Sequence, residues 1–256
     1  PFVLSKCREA MRQIRDIERT TSRLAQGAGN ARDLQQLTLS LDGIPPLKED
    51  LAALRSHASL TDAIITRLHD FSALTALFRQ ALADEPPAAM KEGGIIRDGY
   101  SAELDELRSI SRDGKGWIAR LQESERQRTG IDTLKIKFNN VFGYFIEISS
   151  SKLAKVPEDY TRKQTLANAE RYITPGLKEM EQKVLGSEER SRQLEYELFL
   201  QLRGKVGEHL DALQSCAAAI ATLDVLCALA ETAQRFRHVR PQLIEGKQLQ
   251  IVNGRH

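Results

Sequence analysis

The sequence is short of cysteine, aromatic residues and net charge. Three cysteines in 256 residues, Cys7, Cys216 and Cys227, exclude a disulfide-stapled secreted scaffold. Cys216 and Cys227 fall on one predicted helix, about 16 Å apart along its axis, so they cannot bridge, and a reducing compartment is expected. With 16 Gly and 8 Pro the chain is neither low-complexity nor collagen-like. The most apolar stretch, residues 212–230, is built on Ala and carries Gln214 and Asp224, so a buried helix is expected rather than a membrane span. The chain opens at Pro1 with no signal segment, which suggests a piece of a longer protein. A formal charge of +2 means that any surface for phosphate must be local.

What is present is helix-forming: Leu, Ala, Glu, Arg and Gln dominate, and the fold class is mainly α. Apolar spacing of three and four predicts a helix over residues 2–26, stopped by Gly27 to Asn30. Another spans 32–41, breaks at 42–46 and resumes through Leu47, Leu51 and Leu54. A third covers 60–82. The Gly-rich residues 91–99 suit a small extended piece. A long helix over 101–128 follows, with Leu107, Ile110, Gly114, Trp117 and Leu121 as its seam, weakened by Gly114 and Gly116.

After Gly130 the period changes to two. Leu134, Ile136 and Phe138 alternate with Thr133, Lys135 and Lys137, and the alternation resumes over 144–149 across the turn 139–143, a β-hairpin signal. A Lys-bearing loop leads to 161–174, where one or two more strands are expected. Thr174 as cap and Pro175 at the first helical position open a second long helix, with Leu177, Met180, Val184, Ser187, Ser191, Leu194 and Leu198 as its seam. It continues to about residue 213 and is followed by the Ala-rich helix to 236 and a strand-like tail at 249–252. The expected organisation is a long-helix bundle with a small antiparallel sheet inserted between two long antiparallel helices: helical core over 1–125, β-rich tip over 126–178, returning helices over 179–256.

Between residues 126 and 178, ten Lys and Arg stand against five Asp and Glu, a net of +5. Such a tip suits sequence-independent phosphate contact, although a solvated sheet also carries Lys to discourage edge pairing. Enzyme chemistry is not visible. No G-x-x-x-x-G-K-[ST] occurs, Asp113-Gly114-Lys115-Gly116 being the nearest approach. His57, His69, His209, His238 and His256 lie far apart, and no metal site or catalytic residue is expected. Glu188-Glu189, with Arg190 and Arg192 nearby, read as surface ion pairs.

Three stretches carry a resemblance. Residues 133–139 (Thr-Leu-Lys-Ile-Lys-Phe-Asn), 143–148 (Gly-Tyr-Phe-Ile-Glu-Ile) and 162–175 (Arg-Lys-Gln-Thr-Leu-Ala-Asn-Ala-Glu-Arg-Tyr-Ile-Thr-Pro) closely resemble the clamp of the MutS family of DNA mismatch repair proteins. Residues 16–19, 31–34, 93–100, 103–105 and 223–226 are similar to that family's helical core, or lever, and 254–256 to the residues leading into its ATPase domain. Gly176 departs from the family's usual Glu, which implies a looser clamp hinge. Phe145-Ile146-Glu147 matches the F-x-E pattern by which the family intercalates at mismatches, but that motif belongs to another domain and the match reads as coincidence.

The resemblance implies non-sequence-specific gripping of duplex DNA and mechanical coupling to an ATPase that lies elsewhere. The expected backbone contacts are Arg128, Lys135, Lys137, Asn139, Arg162, Lys163, Gln164, Thr165, Asn168 and Arg171. For Arg171 and Asn168 the alternative is an internal network with Glu170 and the sheet backbone; for Lys135 and Lys137 it is plain solvation. No cofactor is expected in this chain, ATP and magnesium belonging to the full-length protein. The implied partners are double-stranded DNA, a second MutS subunit and a MutL-type repair factor, with no membrane, in a bacterial cytoplasm at the nucleoid. The competing reading is a helical-arm protein interaction module that never touches nucleic acid.

Overall fold

The computed structural model describes residues 2–53, 59–252 and 254. Its elements are, in order, α1 (Phe2–Gln13), α2 (Ile17–Ala25), α3 (Ala31–Asp42), α4 (Ile44–Ala52), α5 (Ser59–Arg67), α6 (Ser72–Ala81), α7 (Ala102–Thr129), β1 (Lys135–Asn139), β2 (Gly143–Ser149), β3 (Thr161–Thr165), β4 (Ala169–Ile173), α8 (Pro175–Glu208) and α9 (Leu210–Phe236). The fold is mainly α, with a small antiparallel sheet between two long helices. It divides into two compact units, one of residues 1–18, 39–70 and 211–256, the other of residues 19–38 and 71–210.

The first unit shows where periodicity alone joins what backbone chemistry separates. The helix expected over 2–26 is two, because the Ile14 N–H turns back to the Met11 carbonyl (3.0 Å) and the Arg15 N–H is taken by Ser40 Oγ (3.0 Å). That over 60–82 is also two, the Leu68 carbonyl being held by Lys48 Nζ at 2.8 Å. The break expected over 42–46 shrinks to Gly43, since a first helical turn accommodates proline without losing a hydrogen bond. Leu54, His57 and His256 lie outside the described residues.

Helix α9 is long and apolar enough to cross a membrane by length and composition, with a mean hydropathy of 1.7 over its most apolar window. Its expected burial is only partial. Leu213, Cys216, Ala219, Leu223 and Cys227 form one buried stripe at spacings of three and four, whereas Val225 and Leu229 are 58% and 61% exposed. The three cysteines are free and buried, and burial pushes the Cys7 and Cys216 thiols up to about 11, which keeps them protonated. Residues 249–252 form no strand: among the described residues nothing pairs with them, and Leu249 is 84% exposed.

In the second unit α7 and α8 run antiparallel. Ser111 and Lys115 reach Glu188, Arg108 reaches Glu195, and Gly114 faces Val184. Ser101 caps α7 by accepting from the Leu104 N–H, and Gly130 ends it in the left-handed region (φ 63°). Thr174 and Pro175 open α8 as expected. The α8 seam holds at Leu177, Val184, Ser187, Ser191 and Leu194 but also buries Glu181 and Glu195, and Phe199 is buried beside a half-buried Leu198. On α7, Leu104, Gly114 and Ile118 are buried, Trp117 and Leu121 pack half-buried against the same core as expected, and Ile110 is exposed. A Cβ on Gly114 would overlap the Val184 side chain, so this glycine sets the closest approach of the helices; Gly116 meets only the far end of Arg120. Residues 82 and 96 make the expected small extended contact, an isolated antiparallel bridge.

Three glycines of this helix pair, Gly114, Gly116 and Gly176, therefore respond differently to alanine. Gly114→Ala is expected to cost about 1–3 kcal/mol through overpacking. Gly116→Ala and Gly176→Ala, each in open helical backbone, should gain about 0.5–1 kcal/mol. Urea denaturation of the three variants measures all of these, and a stabilised Gly114→Ala would refute the close approach.

Candidate nucleic-acid interface

The sheet has strand order β1-β2-β4-β3, all neighbours antiparallel. Directly paired residues share a face. Ile136, Ile146, Ile148 and Tyr172 lie on the inner face and join Ile118, Leu134, Leu177 and Val184 in one core. Lys135, Lys137, Phe145, Glu147, Arg171 and Gln164 lie on the outer face. The register shifts between Arg162 and Gln164, which leaves Lys163 on a bulge of the edge strand β3.

The outer face is organised around Glu147. Its carboxylate accepts from Lys137 (2.6 Å) and Arg171 (3.4 Å), and Arg171 also donates to Gln164 Oε1 (2.8 Å). The Arg171 guanidinium lies 4.4 Å from the centre of the Phe145 ring, which is 2% exposed and so cannot reach a base stack. The Lys137 hydrogen bond, opposed by burial and assisted by Arg171, holds the Glu147 carboxyl below the usual carboxylate range. A second carboxylate, Glu170, accepts from Tyr172 (2.5 Å), Thr165 (3.4 Å) and Arg162 (3.5 Å). Burial, and then Glu170, push the Tyr172 phenol up to about 12.

The expected contact residues thus divide. Lys135 and Lys137 sit on one edge of the sheet, Arg162 and Lys163 on the other, three strand spacings or about 14 Å apart. Arg128 is held by Glu125 (2.8 Å) and Asp159 (3.1 Å), which raise its already high pKa. Asn139 turns its amide oxygen to the Val141 and Phe142 N–H groups and closes the hairpin. Arg171 does belong to an internal network, but with Glu147 and Gln164 rather than Glu170, while the Asn168 carbonyl accepts from the Ser150 N–H at 3.0 Å. Lys135 and Lys163 are exposed and, among the described residues, have no partner.

One residue that positions the sheet, Glu181, escaped the sequence reading. Glu181, buried on α8, accepts from the Tyr144 N–H and from Lys178 Nζ (2.8 Å), which also donates to the Phe142 carbonyl (2.9 Å). Gly143 (φ 73°) makes room, since a Cβ there would overlap this carboxylate. The signal was available: Glu181 falls four residues after Leu177 and three before Val184, inside the seam. Among the described residues no three His, Cys, Asp or Glu side chains gather as a metal site.

Because the Glu147 carboxyl titrates lower in the folded chain than in the unfolded one, it adds stability that is present above the ordinary glutamate value of about 4.3 and is lost as pH falls below it. Urea melts at about pH 7 and pH 3.5 should show this loss. Glu147→Gln should shrink the difference, and an unchanged difference would show that the network contributes nothing.

Comparison with known proteins follows the same residues. The profile described as MutS family domain IV matches residues 99–190, which take in α7, the whole sheet and the first half of α8. Over its full length the chain is 44% identical to the DNA mismatch repair protein MutS of Acetivibrio thermocellus and covers 29% of that protein. It is 46% identical to the MutS of Geobacillus thermodenitrificans, covering 28% of it, and 43% identical to that of Methanosarcina barkeri, covering 29%. The chain thus spans less than a third of the length of these curated relatives. With the sheet, its flanking helices and the whole sequence in agreement, the chain belongs to the MutS family as a fragment that includes domain IV.

Proposed function

We propose that residues 126–178 grip the backbone of duplex DNA without regard to sequence. Residues 1–125 and 179–256 then act as a lever that couples this grip to an ATPase in other parts of the full-length protein. ATP and magnesium are handled there, and this chain hydrolyses no nucleotide. A second MutS subunit supplies the opposing clamp, a MutL-type factor is the downstream partner, and the work is done at the bacterial nucleoid, in the cytoplasm. The relatives' shared designation as DNA mismatch repair proteins supports the reading.

The observation that carries it is the uneven commitment of the sheet's cations. Lys137, Arg171 and Arg128 are spent on carboxylates, whereas among the described residues Lys163, on a strand bulge, and Lys135, on the opposite edge, are unpaired, and Arg162, 64% exposed, has only a 3.5 Å contact with Glu170. Phosphate contact accordingly falls first to Lys163, Arg162 and Lys135, with Thr165 and Asn168 as neutral donors. Arg171 and Arg128 act by holding the sheet in shape.

Fluorescence anisotropy against matched and mismatched duplexes at about 50 and 200 mM salt tests the grip. Weak, mismatch-indifferent binding is expected, weak because one clamp acts alone, with a log K against log salt slope of roughly −3. Replacing Arg162 and Lys163 by Glu should abolish it. No binding at either salt, or binding without salt dependence, refutes the proposal; a partner contact that survives the charge reversal would favour the helical interaction module.

The division of labour among the cations has its own test. Lys163→Ala should weaken DNA binding and leave stability unchanged. Arg171→Ala should lower stability by about 1–2 kcal/mol, since it removes the cover of Phe145 and a charge-assisted hydrogen bond. Thermal melts beside anisotropy titrations separate the two effects.

A further inference from the structure

Away from the sheet, α7 and α8 enclose a polar cleft of about 420 Å³, closed on one side by Gly93 and Gly94. Its acidic side chains on the helices are already committed. Glu188 is held by Lys115 (2.5 Å) and Ser111 (3.2 Å), and Glu195, 3% exposed, accepts from the Ile95 N–H (2.6 Å), the Ile96 N–H (3.4 Å) and Arg108 (2.8 Å). What remains unpartnered is almost entirely donor. Among the described residues, Arg112 and Arg192 line the cleft without an ion pair or hydrogen bond, although the charge of Arg192 lies near Glu188. Ser191 is 7% exposed as a residue and lines the cleft, and among the described residues its hydroxyl makes no hydrogen bond while staying open to the cleft, unlike that of Thr38, which bonds back to the helix carbonyl. The Gly93 and Gly94 N–H groups also lack acceptors, and Gly93 packs directly on the Arg192 stem, a Cβ there standing 3.4 Å from Cγ. Among the described residues, Glu92 at the rim is the one carboxylate lining the cleft without a partner.

Two guanidiniums lining one cleft repel each other, and the Ser191 hydroxyl, open to the cleft, has no protein partner among the described residues. One ligand relieves both: a tetrahedral oxyanion, which presents several acceptors to planar arginine forks and to the hydroxyl. We propose that this cleft binds a phosphate-class anion, either inorganic phosphate or the terminal phosphate of a small ester, between Arg112 and Arg192 with Ser191 at its base. This site is separate from the proposed DNA grip and does not depend on it.

The test is calorimetric titration of the 256-residue chain with inorganic phosphate and, separately, with a nucleoside 5′-monophosphate in chloride buffer. Saturable one-site binding and a phosphate-dependent rise in melting temperature are expected. A stronger response to the monophosphate assigns the site to esters, and an equal one to the free anion. Arg112→Gln and Arg192→Gln, both at exposed positions, should each weaken binding and together abolish it; Ser191→Ala should weaken it about tenfold. Lys183→Gln, which removes a charge from α8 outside the cleft, should change nothing. The proposal is overturned by absence of saturable binding, by binding undiminished in the double arginine variant, or by an equal loss in Lys183→Gln.

Discussion

The architecture of the second unit depends on how closely α7 and α8 approach. Gly114 lets the Val184 side chain sit against the α7 backbone, and the pair is then fastened on either side of this contact by a buried glutamate of α8. Glu181 and Glu195 are 14 residues apart, two heptads, and so return to nearly the same face of the helix. Each binds main-chain N–H groups of a segment that is not helical: Glu181 that of Tyr144 in the β1–β2 hairpin, Glu195 those of Ile95 and Ile96 in the loop before α7. A carboxylate buried without donors would be costly. Each is instead satisfied by backbone and by one cation, Lys178 or Arg108, so that placing the loop and satisfying the charge are the same act.

The sheet follows a related logic with a different result. Its net charge of +5 suggests a broad positive surface, yet Glu147 and Glu170 draw most of the nearby cations into fixed geometry. Lys137 and Arg171 converge on one carboxylate, and Arg171 covers Phe145 at the same time. The charge left for an external polyanion stands at the edges, on Lys163, which sits at a bulge, and on Lys135, whose cross-strand neighbour Glu147 is already engaged by Lys137 and Arg171. Counting charges overstates such a surface because it cannot see which of them are already neutralised.

The same distinction marks what the sequence made legible. Both long helices, the hairpin, the capping by Thr174 and Pro175 and the turn at 139–143 were readable, because each rests on local spacing and turn chemistry. Breaks inside the shorter helices were not. They depend on partners distant in sequence, such as Ser40 for the Arg15 N–H and Lys48 for the Leu68 carbonyl. Gly114 read as a weak point in its helix and proved to be the point of closest packing, since propensity considers a helix alone and packing requires its neighbour. For the candidate site, residue types were legible and their roles were not: nothing local tells Arg171, held on a ring, from Lys163, held by nothing.

The two glutamate locks also determine how a load on the sheet would travel within this unit. Under the proposed grip, force on Lys163 enters β3, passes through the ladder to β4 and arrives at Thr174, where the chain becomes α8 with no intervening loop. Glu181 joins that first stretch of α8 to the β1–β2 hairpin, so both hairpins of the sheet are tied to one helix. Further along, Glu195 ties α8 to the loop at 95–96 and, through Arg108, to α7. A hinge at Gly176 would decouple only β4 from α8, because the tie through Glu181 lies beyond it. The flexibility that a glycine adds to this first turn is therefore bypassed by a second, polar connection, and the sheet moves with α8 rather than on it.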